Sequence, residues 1–136
     1  MPFPYGADAH QHMRITLDPP LIEPIQSAIN RGHLPAASKV VVNLFDGGAR
    51  DRLWMSLNNG ERQAMTYTVR TDPFMERLYE QLQHSDHPIS RPTRSAHIWE
   101  IALPASLVPG VHRIEVYSED EFGQHHHGAF SFEILP

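Results

Sequence analysis

Between Ala96 and Ile134 apolar and polar side chains alternate, and the breaks in that alternation fall at proline and glycine. Ala96 to Leu103 reads as a strand, Pro104 to Gly110 as a corner, Val111 to Tyr117 as a second strand, and Ser118 to Gly123 as an acidic turn. Phe130, Phe132 and Ile134 then repeat at a period of two. In the middle strand His112, Ile114 and Val116 share one face, and Val111, Arg113, Glu115 and Tyr117 share the other. Pro104 and Pro109 fix φ and remove donors, and Gly110 permits a tight return. Sequential strands joined by short polar turns pair antiparallel, and one apolar face per strand calls for a second sheet to cover it. The expected class is all-β, an antiparallel sandwich.

The rest of the chain has to supply the other sheet. Residues 1–12 show little periodicity and read as a flexible lead-in, leaving 13–136 as one domain. Met13, Ile15 and Leu17 line one face of a short strand that Pro19 and Pro20 stop, which suits a sheet edge. One or two helical turns are expected between Pro24 and Arg31, with Gly32 at the C-cap. Lys39 to Asp46, rich in Val, Leu and Phe, should be a central buried strand. Asp51 to Leu57 and Glu61 to Val69 should form a hairpin across Asn58-Asn59-Gly60. Asp72 is a natural N-cap and Pro73 a natural first residue for a helix whose Phe74, Met75, Leu78, Tyr79 and Leu82 recur at helical spacing and should lie against a sheet. Gln83 to Ser95 is expected to be a surface loop. The total is about seven strands and one inserted helix.

A chain of 136 residues can bury one core without a partner. Its net charge of -5 and the lack of any Lys or Arg run argue against a nucleic-acid partner. No apolar run approaches the ~20 residues that span a bilayer, and Met1 to Gly6 lack the features of a signal peptide. The absence of cysteine rules out disulfides, thiolate metal sites and a thiol nucleophile.

Several residue groups invite a chemical reading. His125, His126 and His127 carry imidazoles that bind zinc, and a strand would place His125 and His127 on one side, yet before Phe130 they read as a solvated turn with no third ligand. His10, His12 and His33 join them only if the N-terminal section folds back. His97 and His112 lie on expected strands and read as packing residues. Serine catalysis would need a Gly-x-Ser-x-Gly elbow, which does not occur. Glu119, Asp120 and Glu121 have the chemistry for calcium or for acid and base work, but three acids in a turn ordinarily face water. Trp54, Trp99, Tyr67 and Tyr117 suit either a sugar-binding platform or the space between sheets, and Trp99 with at least one neighbour is assigned to the core. Gly47-Gly48 lacks the Lys-Ser/Thr and helix start of a phosphate loop. No catalytic, cofactor-binding or metal-binding residue is assigned.

Taken together, Lys39-Val-Val-Val-Asn-Leu-Phe-Asp-Gly47, Leu53-Trp-Met-Ser-Leu57 with Asn59-Gly60, Thr71-Asp-Pro-Phe74, His97-Ile-Trp99, Leu103-Pro104, Pro109-Gly-Val-His112, Ile114-Glu-Val116 and Asp120-Glu-Phe-Gly123 resemble the C-terminal domain of bacterial calcineurin-like metallophosphoesterases. The resemblance spans about Met13 to Ile134. It implies an immunoglobulin-like β-sandwich that follows a separate catalytic domain, holds none of its metals and needs no cofactor of its own. It also implies an upstream metallophosphoesterase domain as partner and an envelope or secreted setting for the parent. The Asp-x-His start and Gly-Asn-His-Glu core of such a catalytic domain do not occur together here: Asp8-Ala9-His10 has the first spacing but follows no apolar strand. The expected function is therefore a non-catalytic accessory domain. The alternative from a different class is a free-standing module that binds carbohydrate or a cell-surface partner.

Overall fold

The computed structural model describes residues 12–23 and 30–136. Three consecutive valines set its centre. Val40, Val41 and Val42 in strand β3 (Lys39–Leu44) are all essentially inaccessible to solvent, because β3 is flanked on both sides. Strand β1 (Met13–Asp18) pairs with it antiparallel from Met13 opposite Leu44 to Asp18 opposite Lys39, and lies at the sheet edge. On the other side β7 (Arg94–Ala102) pairs antiparallel with Val42 opposite Trp99, and β6 (Thr66–Thr71) pairs with β7. The order of this four-stranded sheet is β1-β3-β7-β6.

The second sheet is built on the alternating stretch. In β8 (Gly110–Glu119) His112, Ile114, Val116 and Ser118 are buried while the residues between them are not, as a period of two requires. It pairs antiparallel with β9 (His125–Ile134) and with β4 (Arg52–Leu57), giving a five-stranded order β2-β9-β8-β4-β5, where β2 is Arg31–Gly32 and β5 is Gln63–Ala64. The two sheets enclose one core, to which Met13, Leu17, Val40, Val42 and Trp99 come from the first and Leu53, Met55, Ile114, Val116, Phe132 and Ile134 from the second. Burial of each such side chain is worth roughly 1.5–3 kcal/mol relative to exposure. The all-β sandwich follows from these faces.

Four expectations need correction. The described residues hold nine strands rather than seven, two of them only two residues long. The last three strands do not share a sheet: β7 belongs to the first and β8 to the second, so the Pro104 to Pro109 corner carries the chain across the sandwich. The hairpin turn forms as expected, with Asn58 and Asn59 at φ 52 and 60, but only Gln63 and Ala64 return against β4. Met65 then buries its side chain and the chain crosses to the first sheet as β6. Gly32 is not a helix cap. It pairs in parallel with Ile134, and a Cβ there would come within 2.8 Å of the Ile22 carbonyl carbon, so glycine permits the close approach. The helical turns expected between Pro24 and Arg31 fall mostly outside the described residues.

Helix α1 (Pro73–Leu82) starts as expected, with the Asp72 carboxylate accepting from the Phe74 amide at 2.9 Å. Its expected packing against a sheet is only partial, since Pro73 is its sole buried residue. The helix is tied to the edge strand by polar contacts instead: the Arg77 guanidinium donates to the Leu17 carbonyl, and the Arg14 guanidinium lies 4.1 Å from the Phe74 ring centre. A charged lattice covers the neighbouring outer face, with Arg70 donating to Asp18 at 2.7 Å and to Glu100 at 3.3 Å and Lys39 donating to Glu100 at 2.9 Å. Burial disfavours the Glu100 carboxylate, and the hydrogen bonds from Lys39 and Arg70 more than offset it, so its pKa falls below the ordinary value. Among the described residues no helix is long and apolar enough to cross a membrane.

Candidate functional site

The three consecutive histidines open strand β9 rather than sitting in the turn before it, which corrects the expected solvated turn. The register places His125 opposite Glu119, His126 opposite Ser118 and His127 opposite Tyr117. Alternation then sends His125 and His127 to the outer face of the sheet and His126 to its other side. Each outward imidazole already has a carboxylate: His127 Nε2 lies 3.0 Å from Glu115 Oε2 and His125 Nε2 lies 3.4 Å from Glu119 Oε2.

Glu115 is the hub of this outer face. Tyr117 donates its hydroxyl to it at 2.7 Å, and Arg113 donates at 3.2 Å. The bonds from Tyr117 and His127 hold its pKa below the usual carboxylate value, while the same carboxylate pushes the Tyr117 phenol up. A carboxylate stabilised as the anion is not a general acid at neutral pH. Its two arginine-facing neighbours are aromatic. Arg62 lies 3.7 Å from the Tyr117 ring centre and Arg52 lies 5.5 Å from that of Trp54, the residue opposite Tyr117. A sugar ring stacking on either aromatic would have to displace a guanidinium. Trp99 and Tyr67 instead pack edge to face at 5.0 Å, with Trp99 buried as expected.

His126 belongs to a different environment. Its ring stacks on His12 at 3.8 Å, beside a cleft of about 590 Å³ between the 45–51 loop and the 120–124 turn. Of the histidines that needed the N-terminal section to fold back, His12 does meet the β9 cluster. His33 pairs with Ile22 beside β2, and His10 lies outside the described residues, as does Asp8. Burial first and then the nearby His12 charge lower the His126 pKa, against smaller opposing effects of Asp120 and Asp51. Among the described residues no group of three or more His, Asp or Glu side chains is disposed to hold a metal ion.

The remaining candidates have structural work. His112 is buried, with Nδ1 2.9 Å from Asn58 Nδ2 and Nε2 2.7 Å from the Val108 carbonyl, so it donates through Nε2 and accepts at Nδ1. His97 contacts the Gly47 carbonyl through Nδ1. The acidic turn faces solvent from Glu121 to Gln124, as expected, and is held by its own bonds: Asp120 accepts from the Phe122 and Gln124 amides at 2.8 Å each, and Glu119 and Glu121 pair at the surface with Arg52 and Arg50.

Residues 4–126 match the family model described as the C terminal of calcineurin-like phosphoesterase. The chain belongs to this family. No curated protein and no solved structure matches it. The resemblance of the β3, hairpin and β8 segments therefore reflects membership, and this phosphoesterase C-terminal domain is the part of such proteins that is distinct from the catalytic domain. Sequence reasoning missed the role of Glu115 in it, although the i, i+2 spacing of Arg113, Glu115 and Tyr117 on one strand face held the signal.

His126 in one window, and Glu115 together with Glu100 in another, give the domain a stepped pH response. His126 has a folded pKa below its ordinary 6.5, so the unfolded chain binds the extra proton and stability is lost as pH falls below 6.5. Glu115 has a folded pKa below its ordinary 4.5, so its contribution persists down to 4.5 and is lost below it. Urea midpoints measured from about pH 8 to about pH 3 should fall in both windows. His126→Gln should flatten the upper step and Glu115→Gln should reduce the lower, which Glu100 shares, and unchanged slopes in these variants would refute the assignment.

Proposed function

We propose that this chain is a non-catalytic accessory domain that packs against an upstream calcineurin-like phosphoesterase domain and shapes the entrance to its active site. The observation that carries the reading is the family match over residues 4–126 to the C-terminal part of such enzymes. The site chemistry agrees with it. The outer-face carboxylate Glu115 is committed to Tyr117, His127 and Arg113, His125 is paired with Glu119, and His126 stacks on His12. These groups supply binding contacts and fixed charge, and leave hydrolysis to the other domain.

The test is a phosphodiesterase and phosphomonoesterase assay with Mn²⁺ on three samples: this chain, the partnering phosphoesterase domain, and the two together. The expected result is no turnover by the chain alone and a changed kcat/KM of the phosphoesterase domain when the chain is added. Turnover by the chain alone that is abolished by chelator and tracks the protein through purification would overturn the proposal.

A further inference from the structure

Strands β1 and β9 belong to different sheets and face each other across the sandwich. Gly128 lets them come close: a Cβ there would stand 2.6 Å from Met13 Sδ and 3.4 Å from Ile15 Cδ1. Among the described residues β1 pairs only with β3, so side chains alone hold its first residues to β9. At the head of this seam the His12 and His126 rings stack with centres 3.8 Å apart and planes 23° from parallel. The His12 carbonyl accepts from the Phe45 amide at 2.9 Å, so this ring stands on backbone that extends the β1–β3 ladder. His126 is held in β9 opposite Ser118. The stack is therefore a contact between sheets, made by two groups of the same titratable type.

Two imidazoles in van der Waals contact repel when both carry a proton. The other charged groups around His126 do not cancel this. Asp51 from the 45–51 loop and Asp120 from the 120–124 turn favour its protonated form, while His125 on its own strand and His12 across the seam oppose it, and burial opposes it most. Asp46, Arg50 and Glu121 line the same cleft, and Arg50 is paired with Glu121. We infer that the His12–His126 stack is an acid-sensitive clasp: near neutral pH it closes the head of β1 on β9, and protonation parts it, uncovering Met13 while the rest of the sandwich stays folded. Packing sets how far the opening runs. Met13 is 3% exposed and loses its cover on Gly128, whereas Leu17 further along β1 is buried and its carbonyl is held by Arg77. The opening therefore stops before Leu17.

The experiment follows this chain by native-state hydrogen exchange and by peroxide oxidation of methionine from about pH 7.5 to about pH 5, above the window in which Glu100 and Glu115 titrate. An opening coupled to one proton grows by up to about tenfold per pH unit below 6.5, the ordinary value for His126. The Phe45 amide, which bonds to the His12 carbonyl, should lose protection at that rate and with little dependence on urea, because a local opening exposes little surface. Met13 should oxidise faster over the same range, while Met55, 1% exposed in the core, should oxidise only as global unfolding permits. His126→Phe keeps a ring to stack on and removes the titration, and should hold both readouts constant with pH once intrinsic exchange rates are divided out. Phe45 protection equal at every pH to that set by the global stability measured in urea would overturn the clasp. So would a Met13 oxidation rate that climbs with acid equally in His126→Phe.

Discussion

Replacing Trp99 with alanine should remove about 3–5 kcal/mol of folding stability, the range observed when a large aromatic is cut from a packed core. Trp99 is 1% exposed and is the largest of the fully buried side chains. Val42 flanks it across the ladder on one side and Tyr67 on the other. The Tyr67 ring meets it at 5.0 Å with a 62° tilt and is itself anchored by a hydroxyl bond to the Ala96 carbonyl at 2.8 Å. Truncation therefore loses the burial of the indole, the edge-to-face contact, and part of the support for β6 on β7. A domain of ordinary stability has about 5–15 kcal/mol in total, so the variant should unfold at a much lower urea midpoint with its m-value unchanged. Trp99→Phe, which keeps an aromatic ring in the same place, should cost less. A loss below ~1 kcal/mol for Trp99→Ala would mean that the sheets do not close over this residue, and the sandwich described here would be wrong in its first sheet.

The position of Trp99 shows why much of the fold is legible in the residues. Val42, Trp99, Ile114, Val116 and Phe132 each lie on the apolar face of an alternating run, and a period of two fixes which face is buried whatever the partner strand. Asn58-Asn59 reports its turn because few residues accept two successive positive φ values. What alternation cannot report is which sheet a strand joins. The chain leaves β5 for β6 at Met65, where the apolar period continues while the hydrogen-bond partner changes, and leaves β7 for β8 at the proline corner, where the break in the period does not say which sheet comes next. Two-residue strands such as Arg31–Gly32 carry no period at all, so β2 could be seen only through its contact with Ile134.

The candidate site was legible to a lesser degree for a related reason. The sheet face of His125 and His127 follows from the strand period, but their partners Glu119 and Glu115 are set by the register of β8 on β9. The stacking of His12 on His126 joins residues more than a hundred positions apart in a chain whose intervening strands change sheet five times. No local pattern encodes it. The resemblance to the phosphoesterase C-terminal domain was readable where the residues are constrained by turns and helix caps, such as Asn59-Gly60 and Asp72-Pro73.

Asp72 carries the second large effect because it serves helix, sheet and edge strand at once. Its Oδ1 accepts from the Phe74 amide at 2.9 Å and its Oδ2 accepts from Asn43 Nδ2 at 2.9 Å, while Arg14 Nε stands 3.8 Å away. Asp72 is 5% exposed, and both Asn43 Oδ1 and Arg14 Nε are buried without a hydrogen-bond partner. Asp72→Ala removes the cap, about 0.5–2 kcal/mol, and leaves the Asn43 amide donor unpaired, about 1–3 kcal/mol more, so a total near ~2–4 kcal/mol is expected. Asp72→Ser keeps a capping oxygen but is too short to reach Asn43, and should lose an intermediate amount. Asp72→Asn should be the mildest: it keeps the capping oxygen and, with the Asn43 amide flipped, the bond between the two side chains, and loses the attraction to Arg14 while the Asn43 NH2 takes the unpartnered place its oxygen held. Urea midpoints should follow the order Asn, Ser, Ala from most to least stable, with far-UV circular dichroism showing the helix frayed only in the alanine variant. Equal losses in all three would show that charge on Arg14, rather than the cap and the Asn43 bond, holds the helix to the sheet edge.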